Sequence, residues 1–231
     1  MNRWWLDELA HAGAEHLDPA YVAGYERKAG FDPTEDLDVL RGLGLGPETT
    51  LVDLGAGTGA FAVAAARVFR RVVAVDVSPA MVAALRDRVT GLRLDNVTVV
   101  QAGWLSYSHR GEPPDAVYTR NTLHHLPDFW KVIAFHRIAA MLKPRGIFHF
   151  RDLILSVEPD EVHETVDRWL AGAAKAPEVG WTREELETHL REEYSTFSWL
   201  IEPMLERAGF EIRARHGAET RIYLAYTCVR V

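Results

Sequence analysis

The stretch Leu51-Val-Asp-Leu-Gly-Ala-Gly-Thr-Gly-Ala-Phe61, followed by Val72-Val-Ala-Val-Asp76, decides the fold of this chain. It describes a buried strand that ends at a glycine-rich turn, a helix, and a second buried strand that ends at a carboxylate. Gly55, Gly57 and Gly59 allow a sharp turn and let a ligand approach main-chain N–H groups, which a Cβ would block. This arrangement predicts a site for a nucleoside with a charged tail.

The position of Asp76 supports this interpretation. It lies 17 positions after Gly59, at the end of the next predicted strand, where a carboxylate can accept hydrogen bonds from both ribose hydroxyls. Ser78 and Pro79 then open a helix, with Ser78 as its N-cap, so that Asp76 is held on a short connection. The alternative is a glycine turn that only links a strand to a helix.

Two cofactors compete for this site. A dinucleotide-binding fingerprint reads G-x-G-x-x-G and places a pyrophosphate at the helix N-terminus. Here the spacing is G-x-G-x-G, and Asp53 lies two residues before the first glycine. A carboxylate at that position repels a pyrophosphate and attracts an ammonium group. S-adenosylmethionine has an α-ammonium, a sulfonium and a ribose but no phosphate, so the pattern favours this methyl donor over NAD.

Several stretches, taken in order, resemble the class I S-adenosylmethionine-dependent methyltransferases that act on small molecules: Val52–Gly59, Asp76, Asp115–Leu126 and Leu142–Phe150. The resemblance covers about residues 35 to 153, and Leu205–Ile212 fits the final helix and strand of that fold. It implies an α/β fold with a doubly wound, mostly parallel, seven-stranded sheet whose last strand is antiparallel. It also implies that cofactor and substrate meet at the carboxyl ends of the strands.

The rest of the chain alternates strands and helices, as a doubly wound fold requires. The predicted strands are Thr50–Leu54, Val72–Asp76, Val97–Gln101, Ala116–Arg120, Ile147–Asp152, Phe210–Arg215 and Ile222–Val229. A length of 231 residues predicts one methyltransferase domain. Its predicted parts are an N-terminal helical cover (1–45), a cofactor-binding core (46–153), a helical substrate cover inserted after the fifth strand (154–207), and a final strand pair (208–231).

Composition restricts the partners. The net charge of −7 and the pI of about 5.8 give no basic footprint, so nucleic acid is not an expected partner. The single cysteine, Cys228, cannot form an internal disulfide, and Asp7 and Glu8 fall where a secretion signal needs an apolar core. Because no apolar run is long enough to span a bilayer, we expect no membrane partner and a cytoplasmic location. A homodimer is left open.

The resemblance implies a set of cofactor-binding residues: Asp53, Gly55, Gly57, Gly59, Asp76, Val77, Met81 and Asn121. The chain departs from the family at the adenine, where an acidic residue commonly follows the third strand and receives the amino group. Gly103 occupies that position here, so the predicted adenine contacts are backbone groups of Gly103 and Trp104, with the side chain of Trp104 or Leu105 on the face of the base. Tyr21 or Tyr25 is predicted to shield the methionine tail, with simple packing as the alternative.

The candidate catalytic residues are His124, His125 and Arg151. A neutral imidazole after the fourth strand can take a proton from the acceptor as it is methylated, although both histidines can instead be structural. Arg151 is predicted to grip an anionic group of the acceptor, or Asp152 to orient a hydroxyl. The alternative is that the two residues bridge to each other or to a neighbouring loop. No metal site is predicted, because the histidines are adjacent rather than four apart and no cysteine or carboxylate joins them at ligand spacing.

The substrate cover carries five aromatic residues that either line the acceptor pocket or only pack the insertion onto the core: Trp169, Trp181, Tyr194, Phe197 and Trp199. The predicted reaction is direct transfer of a methyl group from S-adenosylmethionine to an oxygen, nitrogen or carbon nucleophile of a small molecule. Two alternatives come from other classes. One is a catalytically silent module that binds S-adenosylmethionine, and the other, less favoured, is a nicotinamide-dependent oxidoreductase.

Overall fold

The computed structural model describes residues 3–13 and 15–231; Met1, Asn2 and Ala14 of the predicted N-terminal cover lie outside the described residues. The strands are β1 (Thr50–Leu54), β2 (Arg71–Asp76), β3 (Val97–Gln101), β4 (Ala116–Arg120), β5 (Ile147–Leu155), β6 (Thr196–Phe197), β7 (Phe210–Gly217) and β8 (Tyr223–Arg230). The α-helices are α1 (Pro19–Ala29), α2 (Thr34–Gly42), α3 (Ala60–Ala65), α4 (Pro79–Gly91), α5 (Asp128–Met141), α6 (Val162–Ala173), α7 (Arg183–Glu192) and α8 (Ser198–Arg207).

The main sheet has the order β3-β2-β1-β4-β5-β8-β7. Strands β1 to β5 pair in parallel, and β8 is antiparallel to both of its neighbours, β5 and β7. This confirms the predicted doubly wound sheet with an antiparallel last strand. The short strand β6 pairs with the far end of β5, outside the main order, because β5 runs three residues beyond its predicted end at Asp152.

The core strands are buried on both faces of the sheet. Along β1 and β2, alternate residues belong to two hydrophobic clusters: Val52 and Val73 pack into one, and Leu51 and Val72 into the other. A parallel strand with helices on both faces therefore reads as a nearly continuous apolar run. This pattern explains why β1, β2, β4 and β5 could be located from the sequence.

The order of the strands reverses between β1 and β4, which are neighbours in the sheet. β1 leads through α3 to β2 on one side, whereas β4 leads through α5 to β5 on the other. In open α/β sheets, the crevice for ligands lies outside the carboxyl ends of the strands at such a switch point. The glycine turn after β1 and the histidines after β4 both open into this crevice.

Two helical segments cover this edge of the sheet. The N-terminal segment contributes two short 3₁₀ helices, Glu8–His11 and Glu15–Leu17, and then α1. The insertion after β5 contributes α6 and α7, and α7 begins with a capping box in which Thr182 and Glu185 are bonded reciprocally. Within the described ranges, no helix combines the length and the apolarity needed to cross a membrane.

Candidate functional site

A cavity of about 540 Å³, called here the cofactor cavity, opens at the carboxyl ends of β1, β2 and β4. Ten of the eleven residues predicted to bind the cofactor line it, from the glycine turn, the end of β2, the start of α4, the segment after β3, the segment after β4, and α1. They are Asp53, Gly55, Gly57, Asp76, Val77, Met81, Gly103, Trp104, Asn121 and Tyr25.

Gly59 is the one residue of this predicted set that does not line the cavity. Its φ is +90°, and a Cβ on it would lie 2.2 Å from Leu85 Cδ1. Leu85 belongs to α4 and is fully buried. The positive φ and the packing of α4 against the turn therefore account for the glycine at this position, and the predicted contact of Gly59 with the cofactor stays a prediction that the lining of the cavity does not support.

Asp76 is held rigidly by two main-chain donors. Its Oδ2 accepts a hydrogen bond from Gly57 N (2.8 Å) and its Oδ1 from Ser78 N (2.9 Å). Ser78 Oγ in turn accepts from Met81 N at 3.1 Å, which confirms the predicted N-cap. Burial raises the pKa of Asp76, although these main-chain donors partly offset the effect. The carboxylate is therefore oriented toward the cavity before any ligand arrives.

Asp53 is almost completely buried, with 2% of its surface exposed, yet its Oδ2 has no hydrogen-bond partner among the described residues. Burial, followed by the charges of Asp76 and Asp36, raises the pKa of Asp53 well above its ordinary value. A buried carboxyl group of this kind is costly unless a donor or a cation compensates it. The position of Asp53 in the cavity wall makes it a receptor for a cationic ligand group.

Glu8 fills the space that an acid at position 103 would need. A Cβ on Gly103 would lie 2.4 Å from Glu8 Oε1. The Glu8 carboxylate accepts hydrogen bonds from Leu105 N (2.8 Å) and Ser106 Oγ (2.7 Å) and lines the cofactor cavity. Burial raises its pKa. The segment after β3 therefore has an acidic neighbour, but it comes from the N-terminal segment.

Two arginines lie side by side at the end of β4 and in the middle of β5, since Arg120 and Arg151 are register partners. Arg120 donates to Asp36 Oδ2 at 2.8 Å and packs over the Phe31 ring. Arg151 lies over the Tyr223 ring and donates weakly to Asn121 Oδ1 at 3.4 Å. Both arginines line the cofactor cavity.

A second cavity of about 550 Å³, called here the acceptor chamber, adjoins the first under α7. Tyr25, Asn121 and His125 line both cavities, and so do His16, Trp181 and Tyr223. Of the predicted acceptor-pocket aromatics, Trp169, Trp181 and Tyr194 line the chamber. Phe197 and Trp199 line neither cavity and instead stack on each other.

Arg151 and Asp152 do not bridge to each other, whereas the predicted bridge to a neighbouring loop is present for Asp152. Successive residues of a strand point to opposite faces, and Asp152 turns away from Arg151 to contact His124 Nδ1 at 2.5 Å. Its Oδ2 also accepts from Thr122 N (2.9 Å) and Leu123 N (2.7 Å). Burial acts to raise the pKa of Asp152, but His124 and these donors lower it, while the same carboxylate raises the pKa of His124 against the effect of burial.

The other neighbours of the two histidines were missed in the sequence. Glu193, just after α7, brings its Oε2 to 3.3 Å from His124 Nε2 and its Oε1 to 4.0 Å from His125 Nδ1. His189 Nδ1, one turn earlier on the same helix, also contacts Glu193 Oε2. Burial and the neighbouring His124 lower the pKa of His125 to about 3. The spacing of four between His189 and Glu193 was the available signal, because such pairs share a helix face.

The N-terminal helix α1 closes the two cavities by contact with α7. Lys28 Nζ pairs with Glu185 and lies 5.0 Å from the centre of the Trp181 ring. The Trp181 ring is also within 6.5 Å of Tyr21 and 6.3 Å of Tyr25. The tyrosines were predicted to act on the cofactor side alone, but through Trp181 they also form part of the chamber.

Comparison with known families gives one match. The profile of the family described as "Methyltransferase domain" matches residues 51–146. This span runs from β1 to the residue before β5, and it contains the glycine turn, Asp76 and the segment with the two histidines. No curated protein matches the chain by sequence.

Solved structures share the fold at low identity. A SAM-dependent methyltransferase from Aquifex aeolicus is 22% identical, with 93% of this chain and 99% of that chain covered and a TM-score of 0.62. Magnesium protoporphyrin IX methyltransferase from Synechocystis PCC 6803, with bound SAM, is 14% identical, with 99% and 100% covered and a TM-score of 0.68. The N-methyltransferase NodS from Bradyrhizobium japonicum, in complex with S-adenosyl-L-homocysteine, is 17% identical, with 86% and 85% covered and a TM-score of 0.60.

Proposed function

We propose that the chain is a class I S-adenosylmethionine-dependent methyltransferase and that it methylates an oxygen, nitrogen or carbon nucleophile of a small aromatic acceptor. The observation that carries this proposal is the pair of adjoining cavities. One presents the carboxylates expected for the methyl donor, and the other presents aromatic side chains beside it. His16, Asn121 and His125, among others, form the wall between them.

The residues of the cofactor cavity fit S-adenosylmethionine. Asp53 offers an unpartnered, buried carboxyl oxygen for the α-ammonium group, and Asp76 offers an oriented carboxylate for the ribose hydroxyls. Both sites are acidic, which disfavours the pyrophosphate of a dinucleotide. When bound, S-adenosylmethionine supplies an activated methyl group on its sulfonium.

Two further assignments belong to this proposal. Arg151, with donors that its contacts with Tyr223 and Asn121 leave free, holds the methionine carboxylate, in place of the anionic acceptor group expected from the sequence. Glu8 receives the adenine amino group, because its carboxylate reaches the segment after β3 at the position where the family usually has an acid. Trp104 and Met81 then pack against the base.

The chemistry of the acceptor chamber supports an aromatic acceptor that is neutral or cationic. Its lining includes Tyr21, Trp169 and Tyr194, whose rings provide flat apolar surface. Five glutamates also line it, and none of its described lining residues is a lysine or arginine. An acidic chamber of this kind disfavours anionic acceptors by charge repulsion.

The contribution of the protein to the reaction is alignment and the exclusion of water, which provide about 7 to 11 kcal/mol in well-oriented systems. α1 and α7 meet over the two cavities through Lys28, Glu185 and Trp181. His125, which lines both cavities, is neutral at physiological pH because burial lowers its pKa to about 3. A neutral imidazole can accept a hydrogen bond from the acceptor and orient its nucleophile.

The test is an assay for release of S-adenosylhomocysteine with a panel of phenols, aromatic amines and aromatic acids. We expect turnover with neutral or cationic aromatic compounds and none with Asp76→Ala. A catalytically silent module would bind S-adenosylmethionine in calorimetry and yet methylate no compound of the panel. Preference for aromatic acids over phenols and amines would contradict the proposed acceptor class while leaving the methyltransferase activity intact.

A further inference from the structure

Four side chains converge between the segment after β4 and the end of α7, at the wall of the acceptor chamber. This group, called here the histidine cluster, consists of His124, His125, His189 and Glu193. One ligand atom from each of His124, His125 and Glu193 lies within 4.8 Å of the other two. The cluster combines imidazole nitrogens with a carboxylate, which is the donor set of many transition-metal sites.

The contacts within the histidine cluster leave two imidazole nitrogens without a partner. Within the part of the chain that the structure describes, His125 Nδ1 and His189 Nε2 are buried and have no hydrogen-bond partner. Glu193 Oε2 contacts His189 Nδ1 and also lies 3.3 Å from His124 Nε2, while Glu193 Oε1 lies 4.0 Å from His125 Nδ1. Ligands of one ion at about 2.0 to 2.2 Å lie roughly 3 to 3.5 Å from each other. The separation of Glu193 Oε2 and His124 Nε2 falls in this range, and His125 Nδ1 is buried beside them without a partner.

Asp152 orients the most deeply buried member of the cluster. Its Oδ1 contacts His124 Nδ1 at 2.5 Å, and its other oxygen is fixed by the main-chain N–H groups of Thr122 and Leu123. Only 5% of the His124 side chain is exposed. A carboxylate behind a histidine in this way fixes the ring, directs Nε2 forward and strengthens it as a ligand, and it is the usual second partner of histidines that bind metals.

Charge supports a dication at this place. The Glu193 and Asp152 carboxylates bring two negative charges to the histidine cluster. Lys131, a buried cation whose charge acts on His124, is already paired with Asp128 and also donates to Tyr194 O. A divalent ion would balance the two carboxylates without further groups.

We propose that His124 Nε2, His125 Nδ1 and the Glu193 carboxylate bind a divalent transition-metal ion of the zinc type. Two imidazoles and one carboxylate leave at least one position open in a tetrahedral site, and all three residues line the acceptor chamber. An oxygen or nitrogen lone pair of the acceptor is the group that such a position takes, and coordination makes its proton easier to lose. This use of the open position rests on the proposed function, whereas the metal site itself does not.

The test is titration of the full chain, freed of metal with a chelator, by Zn²⁺ in a calorimeter and by Co²⁺ in a visible-absorption spectrometer. We expect one Zn²⁺ per chain with a Kd of about 1 µM or lower, and the visible bands of low-symmetry Co²⁺. Glu193→Gln and His125→Ala should each weaken Zn²⁺ binding about 100-fold or more. Mg²⁺, which prefers oxygen ligands, should not bind.

Matched controls separate this site from the surface. Glu187→Gln removes the same charge from the outer face of α7, and His163→Ala removes a fully exposed imidazole on α6; both should bind Zn²⁺ like the wild type. Zn²⁺ should also raise the Tm of the wild type and the controls but not of the two cluster variants, which keeps the test valid for a variant of lowered stability.

Absence of Zn²⁺ and Co²⁺ binding, or equal binding by the cluster variants and the controls, would overturn the metal site. S-adenosylmethionine is titrated in the same samples, and we expect it to bind to wild type and Glu193→Gln alike. Cofactor binding without Zn²⁺ binding would refute the metal proposal alone. Zn²⁺ binding without cofactor binding would refute the proposed function alone.

Discussion

The Glu8 carboxylate occupies the space into which a side chain on Gly103 would extend: a Cβ on Gly103 would lie 2.4 Å from Glu8 Oε1. The two residues are far apart in the sequence, and the N-terminal segment brings them together over the end of β3. An acid can therefore stand at one of the two positions but not at both. On the predicted adenine side of the cavity, the acid is therefore Glu8, from the N-terminal segment.

This relationship predicts a reciprocal rescue. Glu8→Gln should weaken S-adenosylmethionine binding about 10- to 100-fold, since a hydrogen bond to a charged group contributes about 1.5–3 kcal/mol. Gly103→Asp alone should destabilise the protein by crowding Glu8. The double variant Glu8→Ala, Gly103→Asp should regain most of the lost affinity in calorimetry. The control Glu48→Gln changes an exposed glutamate and should bind normally. Normal affinity in Glu8→Gln would remove Glu8 from the adenine site.

Asp53 is predicted to lower the stability of the cofactor-free protein, although it is needed for cofactor binding. Its pKa is raised in the folded state, so the folded protein holds this proton more tightly than the unfolded chain. Stability is therefore lost as the pH rises from about 4, the unfolded value, toward the raised folded value. Asp53→Asn should match the wild type in Tm near pH 4 and exceed it at neutral pH, where its free energy of unfolding should be higher by about 1 kcal/mol or more.

The raised pKa of Asp53 also predicts that binding of S-adenosylmethionine releases a proton. The ammonium group requires the ionised carboxylate, so S-adenosylmethionine should displace a proton from the wild type. The calorimetric enthalpy should then depend on the ionisation enthalpy of the buffer for the wild type but not for Asp53→Asn. Equal Tm values for the two proteins across the pH range would show that Asp53 ionises in the folded protein without lowering its stability, which contradicts the prediction.

Gly59 is predicted to act through packing. Gly59→Ala should lower the free energy of unfolding by about 1–3 kcal/mol, because the new Cβ would lie 2.2 Å from Leu85 Cδ1 at a φ of +90°. Gly91→Ala is the matched control, since a Cβ there meets nothing within 4 Å, and it should be neutral or slightly stabilising. Urea unfolding measures both. A Gly59→Ala protein of normal stability that binds S-adenosylmethionine poorly would restore the predicted contact with the cofactor.

The aromatics of the substrate cover are predicted to differ in function. Trp181→Ala should raise the KM for the acceptor about 10-fold or more, because Trp181 lines both cavities and provides apolar contact area. Trp199→Ala should leave KM within twofold, because Trp199 is 45% exposed and lines neither cavity. Steady-state kinetics with both substrates varied gives the comparison. Equal effects of the two substitutions would mean that these rings serve packing alone.

The sequence predicted the elements that local patterns encode. The apolar run of β1, the glycine turn and Asp76 lie within one contiguous supersecondary unit, so spacing alone located most of the cofactor cavity. The strand ends were also well predicted where polar residues follow at once. The extension of β5 beyond Asp152 was missed, because it depends on pairing with β6 and β8, which lie more than 40 residues away.

The features that were not predicted from the sequence depend on contacts between distant segments or on the direction in which side chains point. Glu8 was unpredictable as a partner of Gly103 from local pattern, although the absence of an acid at position 103 indicated that one was needed. Strand alternation by itself places Arg151 and Asp152 on opposite faces of the sheet, so their separation was within reach of the sequence. The approach of Glu193 to His124 and His125 depends on how the insertion folds back over β4, which no local pattern encodes.

Calorimetric titration of the wild type and of Asp76→Ala with S-adenosylmethionine and with NAD tests the central claim most directly. The structure predicts that the wild type binds one S-adenosylmethionine per chain and does not bind NAD at millimolar concentration. Asp76→Ala, which removes the acceptor for the ribose hydroxyls, should lose most of this affinity. Binding of NAD by the wild type in place of S-adenosylmethionine, or undiminished uptake by Asp76→Ala, would contradict the assignment of this cavity to the methyl donor.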